Sequence, residues 1–89
     1  MLNMKLAFLI FKYFPYGGLQ RDCLRLANFC AEQGHNVTII TMDWQGAKPE
    51  YVKVNIIPNR GLSNHSRAKH FAKAVEGLLT NFDKVIGFD

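Results

Sequence analysis

The sequence predicts an α/β fold, in which an open parallel sheet is covered by helices on both faces. Short apolar runs without polar alternation, which are typical of strands buried on both faces, alternate along the chain with two segments of helical periodicity. The resulting order is β-α-β-β-α-β. Strands that alternate with helices of roughly 15 residues favour a parallel sheet, so we expect a Rossmann-like architecture.

The first half of the chain predicts a strand, a helix and a second strand. The first strand covers Lys5 to Phe11, a continuous apolar run behind a single lysine, and a helix follows over Leu19 to Gln33. Gly34 is predicted to end this helix in the left-handed conformation, and the β-branched run VTIIT after Asn36 predicts a second buried strand. The apolar residues of the helix are expected to share one stripe: Leu19, Cys23, Leu26, Ala27 and Cys30.

The second half predicts two more strands around a second helix. Residues 42 to 50 are polar and rich in turn formers, and a third strand is predicted over Tyr51 to Pro58. Ser63 or Asn64 is available as the N-cap of the second helix, and Lys84 to Asp89 begins as a fourth buried strand. The apolar residues at helical spacing are Ala68, Phe71, Ala72, Val75, Leu78, Leu79 and Phe82. Because four strands with two helices leave part of a face uncovered, we expect this chain to be the front portion of a larger protein.

Composition and length exclude several function classes. With 89 residues the chain is one domain with a modest core, and its content of 48% hydrophobic and 20% charged residues argues against disorder. The net charge of +4 favours anionic partners such as phosphates and nucleotide sugars, but the basic residues are scattered, which argues against nucleic acid. The apolar run LAFLIF is too short for a signal peptide or a membrane span, so we expect a cytoplasmic protein.

The two cysteines, Cys23 and Cys30, are predicted to be small buried apolar residues. On one helix they would lie about 10 Å apart along its axis, beyond the ~7 Å limit between the Cα atoms of a disulfide. No Cys-x-x-Cys or nearby histidine pattern accompanies them, so we expect no metal site.

The loop KYFPYGGLQRD, residues 12 to 22, is the main candidate site. Ligands of open α/β sheets bind beyond the carboxyl ends of the strands, commonly after the first strand. Gly17 and Gly18 are expected to allow positive φ and close approach to a ligand. No Ser, Thr, Asp or Asn caps the following helix, which leaves its first amides to an external anion such as phosphate. A plain tight turn is the alternative, and neither the G-x-G-x-x-G fingerprint nor the P-loop pattern is present.

Four polar residues near this edge have both a functional and a structural interpretation. Asp22, expected in the first helical turn, could accept a hydrogen bond from a sugar or could be a solvated acid favoured by the helix dipole. Arg21 could assist a phosphate or face solvent. His65 could contact a polyhydroxylated acceptor or could cap the second helix, and Asp89 could orient a substrate at the end of the fourth strand.

Three other residues are predicted to be structural. His35 lies in a helix-to-strand turn at the opposite edge of the sheet, and Arg25 lies on the polar face of the first helix. Trp44 could stack on a sugar, but packing beneath its loop is the preferred interpretation.

With the strand before it, KYFPYGGLQRD is similar to the opening of bacterial lipopolysaccharide core glucosyltransferases, which belong to glycosyltransferase family 4 and have the GT-B fold. The segments AEQGHNVTIITMDWQG, NHSR and VIGFD match in the same order, so the resemblance spans nearly the whole chain. YFP followed by GGLQRD is fairly specific within the family, whereas a glycine loop followed by GH is general. Asp89 departs from the amide expected at its position.

The resemblance implies two Rossmann-like domains facing across a cleft. Residues 1–89 would form the first part of the N-terminal, acceptor-side domain, with the C-terminal donor-binding domain outside them. The implied activity is a retaining, metal-independent transfer of glucose from UDP-glucose to the inner-core heptose of lipopolysaccharide, without a cofactor. Peripheral contact with the cytoplasmic face of the inner membrane is implied for the full-length protein. The isolated chain is expected to be inactive.

The resemblance also implies roles for particular residues. Gly17, Gly18 and Arg21 would contact the donor diphosphate, and Asp22 would contact the donor or a sugar. His65 and Asp89 would lie on the acceptor side. The paired glutamates and basic residues that this family uses for most of the chemistry would lie outside these residues, so no catalytic residue is assigned.

Two hypotheses from other classes remain open at this point. The chain could be a non-catalytic phosphate- or nucleotide-binding module that uses the same glycine loop, which titration with UDP and UDP-glucose would test. It could also be a truncated gene product that folds poorly, which a cooperative thermal transition would contradict.

Overall fold

The structure is a computed structural model that describes residues 3–57 and 64–88. The strands in this part of the chain are β1 (Lys5–Leu9), β2 (Lys12–Tyr13), β3 (Asn36–Thr41), β4 (Asp43–Trp44), β5 (Lys53–Ile56) and β6 (Lys84–Gly87). The helices are α1 (Gly18–Glu32) and α2 (Asn64–Leu78), the latter followed by a 3₁₀ turn over Leu79–Asn81.

Four of these strands form one parallel sheet in the order β5-β3-β1-β6. Ala7 in the central strand β1 lies opposite Thr38 of β3 on one side and Val85 of β6 on the other. From β1 the chain moves across the sheet to β3 and then to β5. The connection from β5 to β6 crosses back over the sheet and places β6 on the other side of β1. The predicted open parallel sheet is therefore confirmed, with its switch point between β1 and β6.

The strand predicted over Lys5 to Phe11 divides into two strands. Regular pairing with β3 stops at Leu9, the chain bends at Phe11, and β2 then pairs in parallel with β4, with Tyr13 opposite Trp44. The Met42 amide donates to the Phe11 carbonyl oxygen across the bend (3.0 Å). The segments that follow β1 and β3 therefore stay paired beyond the end of the main sheet. The glycine loop follows directly after β2.

Each face of the sheet packs against one helix, as the sequence predicts. Successive residues of β1 point to opposite faces, which is the geometry of a strand. On the α1 face, the buried cluster consists of Leu6, Phe8, Ile10, Val37, Ile39 and Val52 together with Cys23 and Ala27 of α1. On the α2 face, it consists of Ala7, Ile40 and Ile57 together with Val75 of α2.

The apolar stripe predicted for α1 is partly wrong. Cys23 and Ala27 are fully buried, but Leu19 and Leu26 are 43% and 41% exposed. The line that faces the sheet also includes Gln20, which is buried. Because the residues nearest the sheet are small, the helix lies close to the strands, and the larger leucines are rotated away from the contact.

The end of α1 follows the prediction at Gly34. This glycine has φ of +93°, and its amide donates to the Ala31 carbonyl oxygen (3.0 Å). The His35 amide donates to the Cys30 carbonyl oxygen (3.1 Å). This pair of bonds is the Schellman motif, in which the residue after the C-cap takes the left-handed conformation that glycine adopts without strain.

The edge strands are less buried than the sequence predicts. The fourth strand was expected to be buried, yet Val85 in β6 is 37% exposed and Ile86 is half-buried. The third strand was expected to begin at Tyr51, which lies before β5 and is exposed. Both strands lie at the edges of the described sheet, so each has a neighbour on one side only.

The second helix matches its predicted stripe at most described positions. Val75 is buried, and Phe71, Leu78 and Phe82 pack against the α2-face cluster, but Ala72 is exposed. The helix begins at Asn64, so this candidate cap lies within the helix, while Ser63 lies outside the described residues. None of the described helices has the length and hydropathy needed to cross a membrane.

Candidate functional site

The candidate site lies at the edge of the sheet where the carboxyl ends of the parallel strands meet. The segments after β1 and β3 leave this edge, and both α1 and α2 begin there. The strand order reverses between β1 and β6, and ligands of open parallel sheets commonly bind at the carboxyl-end edge beside such a switch point. The glycine loop therefore occupies the position that its sequence predicts.

Aromatic packing supports the glycine loop from below. Tyr13 is buried and stacks on Trp44, with ring centroids 3.9 Å apart and an interplanar angle of 17°. The Trp44 Nε1–H donates to the Gly46 carbonyl oxygen (3.1 Å). Trp44 thus packs beneath the loop, as predicted, and does not present its ring as a free platform for a sugar.

Thr41 joins the two loop segments at the end of β3. Its side chain is fully buried, and Oγ1 lies 3.1 Å from the Phe11 carbonyl oxygen and 3.0 Å from that of Asp43. The hydroxyl can donate to one of these oxygens at a time, and it accepts from the Asp43 amide (3.4 Å). Thr41 therefore fixes the bend at Phe11 relative to β4.

Replacement of Thr41 by valine is expected to lower the free energy of unfolding by about 1–3 kcal/mol, because it removes the hydrogen bond that the hydroxyl donates and the one that it accepts from the Asp43 amide, each worth about 0.5–1.5 kcal/mol. Urea unfolding followed by circular dichroism measures this change. Thr38→Val is the matched control, since Thr38 is a half-buried threonine in the same strand. Equal losses for the two variants would contradict the role assigned to the Thr41 hydroxyl.

The start of α1 lacks a side-chain cap, as the sequence predicts. Gly17 is the N-cap, and within the described residues no side chain makes a capping hydrogen bond to this helix. The first intrahelical bond runs from the Arg21 amide to the Gly17 carbonyl oxygen (2.9 Å). The amides of Gly18, Leu19 and Gln20 precede this ladder, so this edge of the sheet has a set of hydrogen-bond donors together with the positive end of the helix dipole.

The predicted positive φ at the glycine pair is wrong. Gly17 has φ of −91° and ψ of 138°, which any residue can adopt, and Gly18 is the first residue of α1. A Cβ at Gly17 would overlap the side-chain oxygen of Gln20 and lie 2.5 Å from the Phe14 ring. A Cβ at Gly18 would meet nothing within 4 Å. Packing therefore requires the first glycine, whereas the second leaves open space beside the helix start.

Gln20 is a structural residue of the site that the sequence interpretation missed. Its side chain is buried, and Nε2 donates to the Lys12 carbonyl oxygen (3.1 Å). This bond ties the first turn of α1 to β2. The available signal was a glutamine three residues after the N-cap, a position whose side chain commonly folds back over a helix start.

The charged residues near the helix start face solvent. Arg21, Asp22 and Arg25 are exposed. Asp22 was expected in the first turn, but it is the fifth residue of α1 and the first turn holds no acidic residue, because the helix begins one residue earlier than predicted. Tyr16, which is 78% exposed and whose ring lies 4.8 Å from that of Phe14, is an aromatic at the loop that the sequence interpretation did not single out.

The structure describes the remaining predicted residues only in part. His65 is the second residue of α2 and so lies at the same edge as the glycine loop, but its side chain is outside the description, and Asp89 lies outside the described residues. His35 is structural, as predicted, because its Nδ1 accepts a hydrogen bond from the Met4 amide (3.1 Å) at the opposite edge.

The prediction that both cysteines are buried is confirmed only for Cys23. Cys30 is half-buried, and neither cysteine forms a disulfide. In the part of the chain that the structure describes, no three His, Cys, Asp or Glu side chains are grouped so that they could hold a metal ion.

Comparison with known proteins identifies one group of enzymes. The chain is 38% identical over 88 residues to the lipopolysaccharide glucosyltransferase WaaG of Escherichia coli K12. The matched region covers 97% of this chain and 24% of that protein. It also matches the crystal structure of WaaG, described as a glycosyltransferase involved in lipopolysaccharide biosynthesis, with a TM-score of 0.85 and 37% identity over 92% of this chain and 23% of that chain. No protein-family model matches.

These matches confirm the resemblance that the sequence motifs indicate. The described fold is that of a partial Rossmann-like domain of a glycosyltransferase. The chain spans about a quarter of the length of the relative that it matches.

Proposed function

We propose that this chain is part of a lipopolysaccharide core glucosyltransferase and forms the first part of its N-terminal, acceptor-side domain. The observation that carries the proposal is 38% identity over 97% of the chain to a lipopolysaccharide glucosyltransferase. The position of the glycine loop at the switch point supports it, because nucleotide ligands of such sheets bind there. The donor is UDP-glucose and the acceptor is the inner-core heptose of lipopolysaccharide.

The reaction needs stabilisation of a departing diphosphate. The bond between glucose C1 and the diphosphate oxygen breaks, a bond from C1 to the acceptor hydroxyl oxygen forms, and the hydroxyl proton is released. The leaving UDP gains negative charge as its bond breaks. The uncapped amides at the start of α1 supply hydrogen-bond donors and the positive end of a helix dipole for this charge.

The residues at the site divide into donor-side and acceptor-side groups. Gly18 leaves space for the diphosphate to approach the helix start, and Gly17 keeps the turn before it packed. Arg21 and Asp22 are exposed. In this proposal Arg21 adds a positive charge beside the diphosphate, and Asp22 accepts a hydrogen bond from the donor or a sugar. His65 at the start of α2 and Asp89 after β6 are assigned to the acceptor side.

The finer features of the reaction follow the same resemblance. Transfer proceeds with retention of anomeric configuration and without a metal ion. The glutamates that support it lie in the part of the longer enzymes that this chain does not cover. The net charge of +4 suits peripheral contact with an anionic membrane surface where the acceptor is displayed.

A chimera provides the test of the proposal. The quarter of the E. coli glucosyltransferase that matches this chain is replaced by this chain, and transfer of radiolabelled glucose from UDP-glucose to heptose-terminated lipopolysaccharide is measured. The chimera is expected to transfer glucose, whereas the chain alone is expected to transfer none, because it supplies one side of the cleft. A folded chimera without transfer, or robust turnover by the chain alone, would contradict the proposal.

The same preparations separate the proposal from a non-catalytic binding module. Calorimetric titration of the isolated chain with UDP is expected to show no saturable binding, and the chimera is expected to bind both UDP and UDP-glucose. Selective UDP binding by the chain alone would favour the binding module.

A further inference from the structure

Tyr16 is an exposed aromatic residue beside the glycine pair, and the proposed reaction gives it no role. It is 78% exposed and lies in the loop between β2 and α1, at the edge where the carboxyl ends of the parallel strands meet. Single exposed aromatic residues are common on protein surfaces. Tyr16 differs from such a residue because a packed turn holds it and because it lies in the candidate site.

The turn before α1 fixes the backbone at Tyr16. The Gly17 amide donates to the Phe14 carbonyl oxygen (3.4 Å), which closes a β-turn. Pro15 occupies the second position of this turn, where its restricted φ is favourable. A Cβ at Gly46 would lie 3.6 Å from the Pro15 ring, so the turn packs directly against the segment after β4. Tyr16 is therefore presented by a turn that packing holds in place.

The rings of Phe14 and Tyr16 form an aromatic platform. Their centroids are 4.8 Å apart and their planes are inclined by 37°, which is within the range of favourable aromatic pairs. Phe14 is half-buried and packs in turn against Gly17, where a Cβ would lie 2.5 Å from the Phe14 ring. Because the Tyr16 ring is already placed, a ligand that stacks on it orders few additional torsions, which lowers the entropic cost of binding.

The position of the aromatic platform favours a sugar ring as its ligand. The face of an aromatic ring is electron-rich and attracts weakly polar hydrogens, and a sugar ring presents C–H groups on its faces. The free amides at the start of α1 begin two residues after Tyr16, and the proposed function assigns them to the donor diphosphate. Glucose C1 is bonded to that diphosphate and must contact the acceptor hydroxyl during transfer, so both sugar rings lie close to the aromatic platform.

The acceptor sugar depends on such a contact more than the donor does. The donor is held through its diphosphate, whose charge interacts with the helix dipole, whereas a sugar ring is oriented by hydrogen bonds and by contacts to its faces. We propose that the exposed side of the Tyr16 ring stacks on the acceptor sugar and directs its hydroxyl toward glucose C1, while Phe14 supports the Tyr16 ring. This inference rests on the proposed function, which identifies the acceptor as a sugar.

Steady-state kinetics of the chimera test the inference. Tyr16→Ala is expected to raise KM for heptose-terminated lipopolysaccharide about tenfold, the usual scale of one lost aromatic contact, and to leave KM for UDP-glucose unchanged. Tyr16→Phe keeps the ring face and removes the hydroxyl, so its KM for the acceptor should stay within about twofold of the parent. Tyr51→Ala is the matched control, because Tyr51 is 77% exposed and precedes β5 at the opposite edge of the sheet. It should leave both KM values unchanged.

Acceptor binding gives a second readout that does not need transfer. Surface plasmon resonance with the chimera, in UDP instead of UDP-glucose, should show a dissociation constant for the acceptor about tenfold higher for Tyr16→Ala than for the parent, Tyr16→Phe or Tyr51→Ala.

Four results would overturn the inference for a chimera that transfers glucose: an unchanged acceptor KM and affinity in Tyr16→Ala, a rise in KM for UDP-glucose instead, equal losses in Tyr16→Ala and Tyr16→Phe, or equal losses in Tyr16→Ala and Tyr51→Ala. Any of them would leave the proposed function standing. A chimera that binds the acceptor through Tyr16 but transfers no glucose would contradict the proposed function alone, and one that binds no acceptor would contradict both.

Discussion

Replacement of Gly17 by alanine is expected to lower the free energy of unfolding of the chain by about 2–3 kcal/mol. The backbone at Gly17 is extended and accepts any residue, so the cost is steric. The new Cβ would overlap Gln20 and press on the Phe14 ring, and overpacking of this kind costs about 1–3 kcal/mol. Displacing Gln20 would also break its bond to the Lys12 carbonyl oxygen, a loss of about 1 kcal/mol. Urea unfolding measures the change.

Two further variants make this prediction specific. Gly18→Ala is the matched control, because its Cβ meets nothing within 4 Å and alanine in a helix is more favourable than glycine by up to about 1 kcal/mol. In the double variant with Gln20→Ala, the overlap at Gly17→Ala is partly relieved, so the combined loss should be smaller than the sum of the single losses. Additive losses, or equal losses for the two glycines, would refute the packing explanation.

The sheet and the ends of α1 could be predicted because their signals are local. The runs that became β1 and β3 are apolar on both faces, and a parallel sheet follows from their alternation with helices. Gly34 ends α1 with φ of +93° because few other residues adopt that conformation without strain. The uncapped helix start could also be predicted, since it depends on which residue types precede the helix.

The rotation of α1 could not be predicted because it depends on packing against the sheet. The periodic pattern allows a stripe centred on Leu19 and Leu26 as well as one centred on Ala27, and these stripes differ by about a quarter turn. The sheet selects the second, because small side chains bring the helix closer to the strands. Residues that are apolar by type thus remain partly exposed on the flank of the helix.

The details of the glycine loop depend on contacts between separate segments. A glutamine three residues after the N-cap can fold back over the helix start, but the order GGLQ does not show that Gln20 binds the Lys12 carbonyl oxygen in β2. That bond sets where the Gln20 side chain lies against Gly17. Similarly, the apolar run VIGF predicts a buried strand, and only the strand order shows that β6 lies at an edge. Both errors concern which segments become neighbours, a tertiary property that local sequence does not encode.

Replacement of Gly18 by glutamate is expected to change stability and activity in opposite directions. A carboxylate in the first turn of α1 interacts favourably with the helix dipole, by about 0.3–1 kcal/mol, and the space beside Gly18 is open. The same carboxylate would repel the donor diphosphate at the helix start. At an effective dielectric constant of about 20, two unit charges about 5 Å apart repel by roughly 3 kcal/mol, so kcat/KM of the chimera for UDP-glucose should fall about a hundredfold.

Gly18→Gln separates the effect of charge from that of bulk, because it adds a side chain of the same size without the carboxylate. Its loss of kcat/KM should be about a hundredfold smaller than that of Gly18→Glu, and the difference between the two should shrink at high salt as screening increases. Thermal unfolding of the isolated chain should show Gly18→Glu at least as stable as the parent. If both variants reduce transfer equally at every salt concentration, the diphosphate does not lie at the start of α1, and the open space beside Gly18 accommodates a neutral part of the substrate.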